Sequence, residues 1–178
     1  MDIGEVSSGY DFERKVLGIA SVDVSPKVKC FFRRKTKFRK AVKIVKDIQD
    51  ILEWNPKNPS TEVAQVIYKN ICVGLNKYSC KLCFFSALGT ALDYRYGIDC
   101  FFTLEIGGRE SIVTVDLSMR KKKEQKADIV IAVDDVRSDN FYNIARQITK
   151  KLLAKMYSHH NKSRTEKYKD KYVFKTSH

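Results

Sequence analysis

GIDCFFTLEIGGRESIVTVDLS, residues 97–118, decides the fold class of this chain. Two β-prone runs, Cys100 to Ile106 and Ser111 to Leu117, flank Gly107-Gly108. A two-residue glycine loop between such runs predicts a tight antiparallel hairpin. With that loop, Asp99 at the start of the first strand stands directly opposite Asp116 at the end of the second. Opposed residues have Cβ atoms about 4.5–5.5 Å apart, and like charges held there repel. A divalent cation such as Mg²⁺ or Mn²⁺ compensates, because hard ions prefer carboxylate oxygen. Asp99 and Asp116 are therefore candidate metal ligands. The plainer alternative is a pair of exposed charges at strand ends, and a one-residue bulge would put the two on different faces.

The neighbouring residues favour the ligand reading. Val113, Val115 and Leu117 alternate with Ile112, Thr114, Asp116 and Ser118, so one face of the second strand is apolar and the carboxylates share the more polar one. Glu105 and Glu110 also face each other, but beside the loop, where solvent screens them.

Outward from the hairpin, Gly89 to Gly97 reads as a connection, and Ala127 to Val133 as a third strand reached across the basic RKKKEQK segment. A helix follows from about Asp139 to Tyr157, capped by Ser138 or Asp139, with Phe141, Ile144, Ala145, Ile148, Leu152 and Met156 on one face. On the N-terminal side, one helix starts near Thr36 and stops before Pro56, with Phe38, Ala41, Val45, Ile48 and Leu52 at helical spacing. A second, capped by Ser60 or Thr61, carries Val63, Val66, Ile67, Ile71 and Leu75. Val16 to Val24 and Lys27 to Arg34 read as strands after a loose polar lead-in over residues 1–13. The expected division is a lead-in over 1–35, an α/β core over 36–157 with a small mixed β-sheet flanked by helices, and a basic, flexible tail over 158–178.

Length fits one domain with a substantial core. No apolar run reaches the length of a membrane span, and the MDIGE start does not read as a secretory signal. The expectation is an intracellular, cytoplasmic protein. Five cysteines without a signal describe reduced thiols better than a disulfide framework. Cys80 and Cys83 have zinc-knuckle spacing, but no second such pair completes four ligands; Cys30, Cys72, His159 and His160 could contribute only from a distance.

The formal net charge is +13, and Lys27 to Lys46 holds ten basic residues and no acid. Such clusters match the footprint of a polyanion binder. The residues expected to bind nucleic acid are Arg33, Arg34, Lys35, Lys37, Arg39 and Lys40, together with Arg120, Lys121, Lys122 and Lys123 beyond the hairpin. DNA is the first partner expected and RNA the second, since the chain has many aromatic residues but neither an RNP-type motif nor a GXXG loop. The competing explanation is a solvated basic face that keeps the chain in solution.

Residues 89–133, GTALDYRYGIDCFFTLEIGGRESIVTVDLSMRKKKEQKADIVIAV, resemble the core of the PD-(D/E)xK nuclease superfamily. That family places an aspartate at the start of one strand, then a hairpin, then (D/E)xK at the end of the next strand, then a further strand and helix. Gly97-Ile98-Asp99 matches the first motif and Asp116-Leu117-Ser118 the second, with serine where the family has its catalytic lysine. The resemblance implies a restriction-endonuclease-like core, a phage or mobile-element setting, and a Mg²⁺- or Mn²⁺-dependent DNA endonuclease that acts as a homodimer where it cuts two strands. It implies catalytic roles for Asp99, Asp116 and Ser118, with Lys122 among the lysines (Lys121, Lys122, Lys123, Lys126) that could supply the displaced ammonium. It further implies a glutamate from a preceding helix as an extra metal ligand, best matched by Glu62, with Asp93 as competitor; Thr114 or Ser118 could position water. The alternative is a noncatalytic nucleic-acid-binding protein, either a degenerate nuclease fold or an unrelated basic module.

Overall fold

Gly107 and Gly108 both adopt positive φ, 56° and 75°, the backbone that lets a two-residue loop follow the twist of its strands. They join strands Cys100–Ile106 and Arg109–Ser118, which run antiparallel from Ile106 opposite Arg109 to Cys100 opposite Val115 without a slip. The computed structural model describes residues 8–18, 36–51, 55–119 and 126–169, with side chains through Ser158. Along these the order is α1 (Gly9–Leu17), α2 (Phe38–Ile51), α3 (Glu62–Gly74), β1 (Cys80–Ser86), α4 (Ala91–Tyr96), β2 (Cys100–Ile106), β3 (Arg109–Ser118), β4 (Ile129–Ala132), α5 (Val133–Arg137) and α6 (Phe141–Lys169).

The sheet has the spatial order β1-β2-β3-β4. The first three strands form an antiparallel meander, and β4 lies parallel to β3. The protein is thus a mixed α/β structure with a four-stranded mixed sheet, as the sequence predicts in outline.

Both faces of the sheet are covered. Leu82, Phe84, Phe102, Leu104, Val113, Val115 and Leu117 point to one side, where they pack with Phe12 and Val16 of α1, Ile67 and Ile71 of α3, and Ile148 and Leu152 of α6. Cys83, Phe85 and Phe101 point to the other and meet Ala41, Val42 and Val45 of α2 and Ala91 and Leu92 of α4. Phe85 stacks on Phe101 with ring centroids 5.0 Å apart. The neighbours Phe101 and Phe102 are both buried, on opposite faces, the mark of a central strand sandwiched between helices.

Four sequence expectations change. Residues 8–17 are no loose lead-in: Ser8 caps α1 by accepting the Asp11 N–H at 3.1 Å, and Val16 and Leu17 end this helix instead of starting a strand. The boundary at residue 35 therefore does not separate α1 from the core. Cys80–Ser86 forms a strand that periodicity did not separate from the helical region before it, because a strand buried on both faces reads as an unbroken apolar run. Ala91–Tyr96 is a short helix, capped by Thr90, within the expected connection. Finally, α6 begins at Phe141 and runs past residue 157 to Lys169, so the basic tail continues a core helix. The strand expected over Lys27 to Arg34 lies outside the described residues, as does Leu52.

Candidate active site

Asp99 lies one step beyond the last β2–β3 pair, and continuation of that register sets it across from Asp116. Its backbone is tied on both sides: its N–H donates to the Val115 carbonyl at 3.0 Å, and its own carbonyl accepts from the Ala87 N–H at 2.7 Å. Its carboxylate Oδ2 accepts the Leu117 N–H at 2.6 Å, so the side chain takes the place of a backbone partner on β3. Asp99 is 3 % exposed and Asp116 1 %. They are buried groups, not solvated charges at strand ends.

Burial pushes the Asp99 carboxyl up to about 8. The Leu117 N–H opposes the shift, and the negative charges of Glu13, Asp116 and Asp93 add to it. Burial and the same two central aspartates drive the neighbouring Cys100 thiol well up. Acids from three elements, α1, α4 and β3, therefore act on Asp99 at the end of the sheet where β3 and β4 finish.

Glu13 was not found in the sequence. It lies in the middle of α1, whose C-terminal end is held against α3 by the Thr61 hydroxyl, which donates to the Val16 carbonyl. Its signal was Phe12 and Val16 at i, i+4 after a Ser8 cap, too short a pattern to stand out. Asp93 sits in the first turn of α4, where its Oδ2 accepts the Gly89 N–H at 2.8 Å. Glu62 occupies the first turn of α3, exposed, and is not among the charges that move Asp99. The helix dipole accounts for an acid there.

Ser118 is buried at the end of β3, paired with Ala132 of β4. Thr114 is committed elsewhere: its N–H and hydroxyl both donate to Asp128 Oδ2, at 2.9 and 3.0 Å. Asp128 also takes the Lys155 ammonium at 2.5 Å. Burial alone would raise Asp128, but Lys155 and Thr114 outweigh it and hold the carboxyl below its usual range. That half-buried network fastens α6 to β3. Asp135 accepts the Ala132 N–H at the start of α5.

Lys122 lies outside the described residues, as do Arg33, Arg34, Lys35, Arg120, Lys121 and Lys123. Lys37, Arg39 and Lys40 are exposed on or just before α2. Lys126 runs past Gly97, its Cδ 3.7 Å from where a Cβ on that glycine would stand, two residues from Asp99.

The Cys80–Cys83 pair does not converge. Three residues apart on a strand, the two thiols fall on opposite faces, Cys80 against one apolar cluster and Cys83 within the other. Cys72, Cys80, Cys83 and Cys100 are free thiols. Among the described residues no group of three or more His, Cys, Asp or Glu side chains is arranged to hold a metal ion, and no helix is long and apolar enough to cross a membrane.

No protein-family model, curated protein or solved structure matches this chain.

Proposed function

We propose that this chain is a metal-dependent DNA endonuclease, hydrolysing phosphodiester bonds at Asp99 and Asp116 on a restriction-endonuclease-like core. The observation that carries the reading is the buried aspartate pair, with Asp99 driven up to about 8 by burial and by three further acids. Without a compensating cation the pair does not ionise fully at neutral pH, and Asp99 keeps its proton. The order of parts supports the same reading: an aspartate just ahead of β2, a hairpin, Asp116-Leu117-Ser118 at the end of β3, then β4 and two helices, as in the PD-(D/E)xK pattern.

A pair of carboxylates suits Mg²⁺, which keeps several waters and takes one or two protein carboxylates beside substrate phosphate oxygens. It therefore needs no third protein ligand. When bound, the ion supplies Lewis acidity toward a phosphate oxygen and a water of lowered pKa. The chain's own contribution begins with Asp99, which releases its proton to become a ligand while the Leu117 N–H keeps its carboxylate facing β3. Lys126 offers an ammonium beside Gly97, where it can meet the charge of the phosphate.

The second reading is a noncatalytic nucleic-acid-binding protein, and Ser118 favours it, since a small buried hydroxyl stands where the pattern has an ammonium. Plasmid cleavage with Mg²⁺, Mn²⁺ or EDTA separates the two. The nuclease should nick DNA only with the metal, and Asp99→Asn and Asp116→Asn should each lower the rate at least about a hundredfold while leaving DNA binding intact. Salt-sensitive binding with no cut under any metal would leave the second reading standing.

A further inference from the structure

A groove of about 1190 Å³ runs between α2, the outer face of β3 and α6, larger than the roughly 300–1,000 Å³ of a small-molecule cleft. Glu110, Ile112 and Thr114 line it and follow one another at two-residue spacing on one face of β3, with Asp116 next in the same row. The floor from Glu110 to Thr114 is about 13 Å long at the rise of a strand, and it ends one row position short of Asp116. The groove thus leads from the hairpin toward the aspartate pair, and Ile98 and Lys126 line it too.

Its charge is unevenly balanced. Glu110 is neutralised by Lys46 at 2.5 Å and Asp128 by Lys155 at 2.5 Å. Arg39 and Lys43, one helical turn apart on α2, and Arg109 and Lys126 also line the groove against a single further acid, Asp47, leaving a net positive trough. At the same wall stands Phe38, 37 % exposed. Its ring is braced edge-on by Tyr96 with centroids 5.6 Å apart, and the Tyr96 hydroxyl donates to the Thr36 carbonyl. A basic trough with a fixed aromatic ring at its wall is the chemistry of single-strand recognition: cations track phosphates and a base stacks on the ring.

We propose that this groove holds a single strand of DNA, with Arg39, Lys43 and Lys126 on its phosphates and Phe38 under a base, and delivers it to Asp99 and Asp116. The delivery rests on the hydrolytic reading above; the binding does not. Lys37 and Lys40, also in the basic run, lie outside the groove lining and make a control of equal charge.

The experiment is fluorescence anisotropy of a labelled deoxythymidine oligonucleotide over a salt series in EDTA, where hydrolysis is off. Arg39→Ala with Lys43→Ala should reduce the salt slope by about 1.4 for two lost single-strand contacts, whereas Lys37→Ala with Lys40→Ala should leave it at the wild-type value. Phe38→Ala should weaken binding about fivefold or more with the slope unchanged, and the duplex should bind less tightly than the single strand. Equal losses from the two double variants, indifference to Phe38, preference for the duplex, or a uridine oligonucleotide outcompeting the deoxythymidine one would each overturn the assignment. Circular dichroism of each variant guards against misfolding, and Arg39→Lys should restore much of the slope. Because wild-type cleavage is scored separately, a chain that binds in the groove and never cuts overturns the hydrolytic reading alone.

Discussion

Asp99 makes the stability of this protein depend on pH in a particular direction. Its carboxyl is held at about 8 in the fold, against about 3.9 for an unfolded aspartate. Between those values the unfolded chain has lost the proton that the native chain keeps, so stability falls as pH rises. The contribution is fully present below about pH 4 and falls by up to about 1.4 kcal/mol per pH unit until about pH 8. Asp99→Asn removes the titration and can still accept the Leu117 N–H. Urea denaturation should find the variant's advantage over wild type far larger at pH 8 than at pH 5; an equally steep decline in both proteins would show that Asp99 is not the source. The facing of Asp99 and Asp116 was legible in the sequence because two adjacent glycines fix the register locally. Their burial was not, since it depends on elements remote in sequence, among them α1 and α4, whose acids act on Asp99 and whose packing no local pattern encodes. Glu13 escaped for the same reason, and Glu62 attracted attention as a helix-start acid, a position explained without a site.

At the scale of elements, strands with simple alternation and helices with several turns of apolar spacing were readable, and elements that depend on remote partners were not. β1 has apolar residues on successive positions because α2 packs on one side of it and α3 on the other. α1 is two turns long and gains its stability from Phe12 and Val16 in the main apolar cluster. Its end relies on Gly18, at φ 73°, where an added Cβ would stand 2.2 Å from Ser60 Oγ and 3.1 Å from Thr61 Cγ2. Gly108 has nearly the same φ but open space around it. Alanine at Gly108 should cost about 1 kcal/mol for backbone strain alone, and at Gly18 about 2 kcal/mol or more because a clash is added. Chemical denaturation of the two variants measures the difference, and equal costs would mean that Ser60 and Thr61 move aside freely.

Across the whole molecule, the layered arrangement follows from the double burial of the sheet, which the alternating face of β3 had concealed. Thr114, Asp116 and Ser118 looked like an outward polar row, yet all three are buried. Helices on both faces turn that row into an interior strip opening on the basic groove. The net charge of +13 leads to the expectation of a polyanion but gives no location, because the described part of the run divides between groove and open surface.

The two-residue loop also sets when the aspartates meet. So short a loop closes at little entropic cost, and hairpins form within microseconds, whereas α1 must come to β3 from the far end of the described chain. The repulsion is then present on the folding path before the helical layers arrive. Stopped-flow refolding of the wild type should be slower at pH 8 than at pH 5, where Asp99 takes up a proton as the helices close over the pair, with Asp99→Asn removing most of the difference; identical ratios in the two proteins would place burial of the pair after the rate-limiting step. A divalent cation held by the pair, as proposed above, should then quicken assembly as well as secure the finished molecule.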